Sequence, residues 1–271
     1  MKGKPFEKLY MALILVFMYA PIVTMIVISF NASKSRAKWG GFSTKWYVAL
    51  FSNAKIMRAL GNTLSIALLS ALIATVIGTV TCIALMGLKT KSRAVIMGLT
   101  NIPMINADIV TGISLMLLFR AIGFSTGAKT VLIAHITFNI PYVMLSVLPR
   151  LKQVEPSVYE AALDLGATPF YAFRKTVLPD IFPAVVSGAL MAFTMSLDDF
   201  IITYFTMGSG TGFNTLSTLI YSEVKTGIKP EMYALSSIIF VAVIVLLLCS
   251  DRIPKWAMAG TEKAQAKEEM K

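Results

Sequence analysis

Three aspartates and one histidine stand inside long apolar stretches of the sequence, where ionisable side chains are rare. They are Asp108, Asp198, Asp199 and His135. An ionised carboxylate in the middle of a bilayer costs at least about 2.5 to 3.5 kcal/mol, so residues of this kind usually have a function. Carboxylates attract cations. The residue types therefore predict a pathway for a positively charged solute.

Each of these residues also has a structural interpretation, which the sequence leaves open. An aspartate can cap a broken helix or pair with a neighbouring base, and His135 can hydrogen-bond between helices. Adjacent residues point about 100° apart on a helix, so one of Asp198 and Asp199 is expected to face the pathway. Trp46 can cover an ammonium group through a cation–π contact or anchor the chain at the membrane interface.

The chain that must position these side chains has 271 residues, of which 56% are hydrophobic and 14% charged. This composition excludes an ordinary soluble domain. A membrane-spanning helix needs about 20 apolar residues, so the length allows about six spans. The formal net charge of +11 then marks membrane–water boundaries rather than a nucleic-acid partner. Cys82 and Cys249 are isolated, which predicts neither a disulfide nor a metal site.

The uncharged stretches predict an all-α integral membrane protein with six transmembrane helices. The short basic turn that carries Lys89, Lys91 and Arg93 indicates that both termini are cytoplasmic. The spans are expected at about residues 9–30, 60–87, 94–119, 130–149, 184–205 and 233–250. They form one membrane domain, 1–260, and the polar residues 261–271 form a solvated tail.

The depth of the polar residues follows from where the spans begin. If the third and fifth spans start near Ala94 and Ala184, Asp108 and Asp198 lie about 14 residues in, or roughly 21 Å along a straight helix. His135, which enters from the other side, reaches a similar depth. We therefore expect these residues on one level in the outer half of the membrane.

The longest cytoplasmic loop, 150–183, has the local chemistry of two short helices joined by a bend. Pro156 suits the first turn of one helix, and Gly166 can end that helix in the left-handed conformation. Thr168 can then cap a second helix that begins at Pro169. The loop is predicted to form a rigid bent knob on the cytoplasmic face.

Six residues of this loop stand at a distinctive spacing: Glu160, Ala161, Ala162, Gly166, Leu178 and Pro179. This resembles the signature of permease subunits of bacterial ABC importers, which is E-A-A, three residues, G, nine residues and I-x-L-P. Thr176 departs from it, because the family usually has isoleucine there. The resemblance implies the type I ABC importer permease fold, with the knob as a coupling helix that docks on an ATPase. The alternative is a surface hairpin without a partner.

A wider resemblance, to the permease subunits of spermidine/putrescine importers, extends over most of the chain. It is carried by GFSTKWY (41–47), DIV (108–110), HITF (135–138) and SLDD (196–199). It implies a homologous second permease subunit, two cytoplasmic ATPases that bind ATP and Mg²⁺, and an extracytoplasmic polyamine-binding protein. The expected location is the inner membrane of a bacterium, with no cofactor on this chain.

Other classes of function fit the sequence less well. An ion-coupled secondary carrier usually shows paired repeats, which are not visible here. An enzyme needs a nucleophile with a base or a metal cluster, and one histidine with two isolated cysteines supplies neither. A permease for another small cationic solute remains the nearest alternative. A non-enzymatic transport subunit is therefore predicted, with acidic spans that disfavour an anion.

Overall fold

The structure is a computed structural model that describes residues 5–35, 37–208, 210 and 212–245. A π-helical turn, Phe173–Val177, leads directly into the helix that begins at Leu178. The helices are α1 (Pro5–Ser29), α2 (Lys45–Ser52), α3 (Ala54–Met86), α4 (Thr90–Ile105), α5 (Asp108–Ala121), α6 (Ala128–Leu151), α7 (Pro156–Asp164), α8 (Pro169–Ala172), α9 (Leu178–Asp198), α10 (Ile201–Thr206), α11 (Leu216–Thr226) and α12 (Pro230–Val245).

Among the described residues, four helical stretches are long and apolar enough to cross a membrane, and one bent pair of helices adds a fifth candidate. Three of the four, in α1, α3 and α6, correspond to the first, second and fourth predicted spans. Residues 9–21 of α1 are all exposed within the chain, as expected of a helix that faces lipid. An all-helical membrane protein is thus confirmed.

The third predicted span, 94–119, is not one straight helix. It consists of α4 and α5, whose axes differ by 107°. Asn106 and Ala107 both have extended backbone angles, and they turn the chain between the two helices. Pro103 lies in the last turn of α4 and supplies no backbone N–H to that turn. The predicted depth of Asp108 assumed a straight helix, and that assumption was wrong.

The fifth and sixth predicted spans also differ from uninterrupted helices. The fifth, 184–205, lies in a helical stretch that ends at Asp198 and resumes at Ile201. The sixth, 233–250, is described only as far as Val245, where the bounds of α12 end. Its remaining residues and the predicted tail lie outside the described residues. The count of six spans therefore stays a prediction.

The described residues divide into two compact units, 5–58 with Leu219–Val245 and Ala59–Thr218. In the second unit, α6 and α9 pack around a core in which Val143 is fully buried. A Cβ atom at Gly78 would lie 2.9 Å from Val143 Cγ1, and one at Gly188 would lie 3.2 Å from Val143 Cα. These two glycines allow α3 and α9 to approach α6 closely.

The segment between α6 and α9 has the predicted bent form. Pro156 is in the first turn of α7, and Gly166 follows that helix with φ +85°. The N–H of Gly166 donates to the carbonyl of Leu163, and the N–H of Ala167 donates to that of Ala162, which is a Schellman end. Thr168 then caps α8 by accepting from the N–H of Tyr171 at 3.4 Å. The local sequence therefore determines this bend.

Candidate functional site

A pocket of about 360 Å³ lies in the second unit, where α5, α6, α9 and α10 meet. Its wall combines carboxylates with aromatic rings. Asp108 and Asp198, which are far apart in sequence, are brought together at this pocket. The full lining is Asp108, Phe138, Tyr142, Thr194, Met195, Asp198, Asp199, Phe200, Ile201 and Ile202.

Two helix breaks create this pocket. Asp108 is the first residue of α5, directly after the bend at 106–107, and Asp198 is the last residue of α9. Both side chains are exposed, and neither has an ion-pair partner among the residues that the structure describes. The N-terminus of α5 favours a negative charge at Asp108, whereas the C-terminus of α9 does not favour one at Asp198. A cation in the pocket would stabilise both.

Asp199 has a different environment from its neighbour. Its Oδ1 accepts from the N–H of Ile202 at 3.2 Å, and its Oδ2 accepts from the N–H of Thr203 at 2.8 Å. The hydroxyl of Thr203 also donates to Oδ2 at 2.8 Å. These bonds cap α10, and the carboxylate is only 8% exposed. The structural alternative for the aspartates, a cap on a broken helix, is the geometry found at Asp199.

His135 faces this cap and is 1% exposed. Its Nε2 lies 2.8 Å from the hydroxyl oxygen of Thr203 and 3.3 Å from Oδ2 of Asp199. On its other side, Nδ1 is hydrogen-bonded to the hydroxyl of Ser196. The hydrogen bond between helices that the sequence left open for a membrane histidine is therefore present.

Hydroxyl and amide groups that were not predicted from the sequence continue this network. The hydroxyls of Ser196 and Ser70 lie 3.0 Å apart, and the Asn139 amide donates to Ser70 at 3.3 Å. All three side chains are buried. The only sequence signal for them was polarity inside an apolar span. Partners so far apart in sequence cannot be paired without the fold.

Trp46 lies in the first unit and anchors a loop. Its indole N–H donates to the carbonyl of Asn31 at 2.7 Å, and the ring is 8% exposed. The ammonium nitrogen of Lys45 lies 4.5 Å from the ring centroid. The Asn31 side chain in turn accepts from the N–H groups of Ser33 and Gly40, at 3.0 and 2.8 Å. A cation–π contact is present, but the cation is a lysine of the same chain.

A second buried carboxylate, Glu223 in α11, also escaped the sequence analysis. It is 7% exposed and lies 3.2 Å from the ammonium nitrogen of Lys229 and 3.4 Å from that of Lys55. Burial alone would raise the pKa of Glu223, but its bonds to the two lysines hold that pKa below the usual range for glutamate. Glu223 therefore ties the start of α3 to the connection before α12.

Four of the six coupling residues predicted from the signature are exposed. Glu160 and Ala161 are exposed on α7, and Gly166 is exposed at its end. Leu178 and Pro179 begin α9, with Leu178 packed against the core cluster. Several large apolar side chains of the same segment are also open to solvent: Val158 at 54%, Leu165 at 89%, Phe170 at 74% and Tyr171 at 55%. Apolar exposure of this extent is typical of a docking surface.

Apolar spans around a polar pocket, together with an exposed bent segment between two of them, are the features of a membrane permease. The family described as "Binding-protein-dependent transport system inner membrane component" matches residues 74–257. The chain belongs to this family, and it is a transport subunit rather than an enzyme. The resemblance seen in the loop signature is confirmed.

Two curated relatives from Escherichia coli (strain K12) align with almost the whole chain. The spermidine/putrescine transport system permease protein PotC is 38% identical over 246 residues, which cover 91% of this chain and 92% of the relative. The putrescine transport system permease protein PotI is 39% identical over 260 residues, which cover 93% and 90%. The wider resemblance is confirmed by these alignments.

Solved structures share the fold at low sequence identity. A bacterial ABC transporter involved in the import of the acidic polysaccharide alginate has a chain with a TM-score of 0.71 and 16% identity, covering 92% of this chain and 94% of that one. The MetNI methionine ABC transporter has a chain with a TM-score of 0.58 and 20% identity, covering 74% and 95%. The ABC importer permease fold is confirmed, and the fold alone does not set the charge of the solute.

Proposed function

We propose that this chain is a permease subunit of an ATP-driven importer of polyamines and forms half of its translocation pathway. The observation that carries the proposal is the pocket with two exposed carboxylates, Asp108 and Asp198, for which the described part of the chain holds no ion-pair partner. The names of the two curated relatives support the polyamine class, because one is a spermidine/putrescine permease and the other a putrescine permease. An anion would be repelled from this pocket.

The chemistry of the pocket matches a linear polyamine. A carboxylate about 4 Å from an ammonium group gains roughly 4 kcal/mol at an effective dielectric constant of about 20. The methylene groups between the ammonium groups need apolar contact, and an aromatic face adds about 0.5 to 2 kcal/mol with a cation. Phe138, Tyr142 and Phe200 supply such surfaces beside the two carboxylates. Two acidic points with aromatic walls thus suit an extended polycation.

Trp46 and His135 have indirect roles in the proposed pathway. Trp46 holds the loop that follows α1 through its bond to Asn31, and Lys45 already covers its ring. His135 is buried against Asp199. Asp199 lines the pocket, but both of its carboxylate oxygens accept hydrogen bonds that cap α10. Asp108 and Asp198 are therefore the proposed contacts with the ammonium groups.

The partners follow from the family. A homologous second permease subunit completes the pathway, two cytoplasmic ATPases supply energy, and an extracytoplasmic binding protein delivers the polyamine. Glu160, Ala161, Ala162 and Gly166 belong to the surface that docks on an ATPase. The exposed apolar side chains of that segment support this assignment. This chain needs no cofactor of its own, because ATP and Mg²⁺ bind to the partner ATPases.

Copurification from native membranes tests the partners and the solute together. A tagged chain should bring down a second permease and an ATPase, identified by mass spectrometry. Amines extracted from the preparation should be enriched in putrescine or spermidine, and an Asp108→Asn, Asp198→Asn preparation should lack this enrichment because the pocket has lost its charge. A complex without an ATPase, or equal amounts of amine in both preparations, would contradict the proposal.

The orientation proposed for the chain places both termini and the loop 150–183 in the cytoplasm. Cysteines introduced at Ser157 and Ser222, which are both exposed, test it. In intact cells an impermeant thiol reagent should label the cysteine at position 222 and reach position 157 only after permeabilisation. The parent protein without added cysteines sets the background. Labelling of both positions in intact cells would show the orientation to be wrong.

A further inference from the structure

We infer that His135 is a positioning residue that holds Asp199 in the cap of α10 and so leaves Asp198 as the carboxylate of this pair that meets the solute. The inference deepens the proposed function and rests on it. It is carried by the contacts around the break between α9 and α10. Asp198 and Asp199 are adjacent in sequence, yet one is exposed and the side chain of the other is 8% exposed.

The hydrogen bonds around Asp199 determine which nitrogen of His135 carries a proton. The Thr203 hydroxyl donates its proton to Asp199, so it must accept from His135 Nε2, which lies 2.8 Å away. Asp199 Oδ2, at 3.3 Å from the same nitrogen, is also an acceptor. Nε2 therefore bears hydrogen, and the imidazole presents a donor to both neighbours. A side chain without a donor here would leave the buried carboxylate one partner short.

The opposite side of the ring is compatible with either charge state of His135. A neutral ring accepts at Nδ1 from Ser196, which in turn accepts from Ser70. A charged ring donates from Nδ1 to Ser196. The Ser196 hydroxyl then donates to Ser70, and Ser70 donates to the carbonyl of Ala67 at 3.2 Å. Both arrangements keep the His135 ring and the hydroxyls of Ser196 and Ser70 hydrogen-bonded. The network can thus compensate the charge of Asp199 by reorienting hydroxyl protons, without moving a heavy atom.

The same contacts fix the wall of the pocket. Asp199 has extended backbone angles, φ −62° and ψ 129°, which end α9 and allow α10 to start two residues later. Phe200, Ile201 and Ile202 follow directly, and all three line the pocket. Without the bond from His135, Asp199 keeps its three bonds to Ile202 and Thr203 but loses one partner of its buried carboxylate, so leaving the cap for a cation in the pocket costs less. The structure therefore links His135 to the shape and the charge of the site.

A matched pair of substitutions separates the effect of the hydrogen-bond donor of His135 from the effect of its side-chain volume. His135→Gln keeps an N–H at about the place of Nε2, whereas His135→Met fills a similar volume without a donor. Uptake of radiolabelled putrescine and spermidine by cells with equal levels of assembled importer is the measurement. We expect His135→Met to lower uptake at least about tenfold and His135→Gln to stay within about threefold of the parent. Equal losses in the two variants, or no loss in either, would overturn the inference.

The contact itself is tested by thermal stability, which does not depend on transport. Melting temperatures of the detergent-purified complex are compared for His135→Met, Asp199→Asn and the double variant. The two effects should be strongly non-additive, because each change removes the same interaction. Additive decreases would overturn the role of His135 at Asp199.

The outcomes distinguish the inference from the function on which it rests. Normal uptake by the Asp108→Asn, Asp198→Asn variant contradicts the polyamine pathway as a whole. Loss of uptake in that variant, with normal uptake in His135→Met, contradicts the role of His135 alone.

Discussion

Replacement of Asp108 and Asp198 by asparagine should lower polyamine uptake by at least about tenfold for each single change and further for the double change. Asparagine preserves the shape and much of the hydrogen bonding of aspartate while it removes the charge. Each ammonium–carboxylate attraction is worth roughly 4 kcal/mol before desolvation, so a net loss of about 1.4 kcal/mol or more per site is expected. Uptake of radiolabelled putrescine and spermidine at matched subunit levels is the measurement.

The chain offers a matched control for this experiment. Asp180→Asn makes the same chemical change in the same helix, α9, but in its first turn rather than at the pocket. Uptake by this variant should stay within about twofold of the parent, since only a modest helix-terminal interaction is lost. Asp199→Asn should also lower uptake through a weaker cap on α10, because the amide offers one acceptor oxygen where the carboxylate uses two. Near-normal transport by the Asp108→Asn, Asp198→Asn variant would contradict the cation pathway but not the importer assignment.

Substitutions in the bent segment should abolish coupling while the protein stays assembled in the membrane. Gly166 has φ +85°, and proline requires a φ near −65°, so Gly166→Pro cannot keep the Schellman end of α7. Glu160→Lys reverses the charge on an exposed position of the same helix. We expect either change to reduce substrate-stimulated ATP hydrolysis at least about tenfold, because the docking surface is misplaced or repelled.

Gly166→Asn provides the control for the first of these changes. Nothing lies within 4 Å of a Cβ atom at this position, so a side chain there meets no obstacle and only the backbone conformation matters. Asparagine tolerates the left-handed conformation better than most residues, and it should retain most of the stimulated hydrolysis. The coupling role is refuted if an assembled complex with Gly166→Pro or Glu160→Lys hydrolyses ATP normally in response to the solute.

The features that were predicted correctly from the sequence are those encoded by local chemistry. The bend between α7 and α8 was one of them, because Pro156, Gly166, Thr168 and Pro169 act within a few residues of their own positions. Helical membrane character was another, since long apolar stretches must satisfy their backbone hydrogen bonds internally. A short window of sequence contains all the residues that determine each of these properties.

The prediction of a straight third span was wrong because it rested on hydropathy alone. Hydropathy measures how apolar a stretch is and does not register a change of helix direction, so 94–119 looked continuous although its two halves differ by 107°. Pro103 was a sign of interruption, but a proline alone does not tell whether a helix kinks or turns a corner. Asp108 still reached the pocket, because the corner places it at the start of α5.

The sequence by itself determined the class of protein, the bend between α7 and α8 and the set of acidic residues available to a cation. Only the tertiary structure decided which of those acids caps a helix and which faces the pocket. Asp198 and Asp199 are chemically identical neighbours, and the difference between them comes from His135 and Thr203, which stand 68 residues apart in the chain. A helix end needs its N–H groups satisfied, and the nearest available carboxylate is committed to that task while the other is left to the pocket. No local pattern can assign those roles, because they depend on which helices meet.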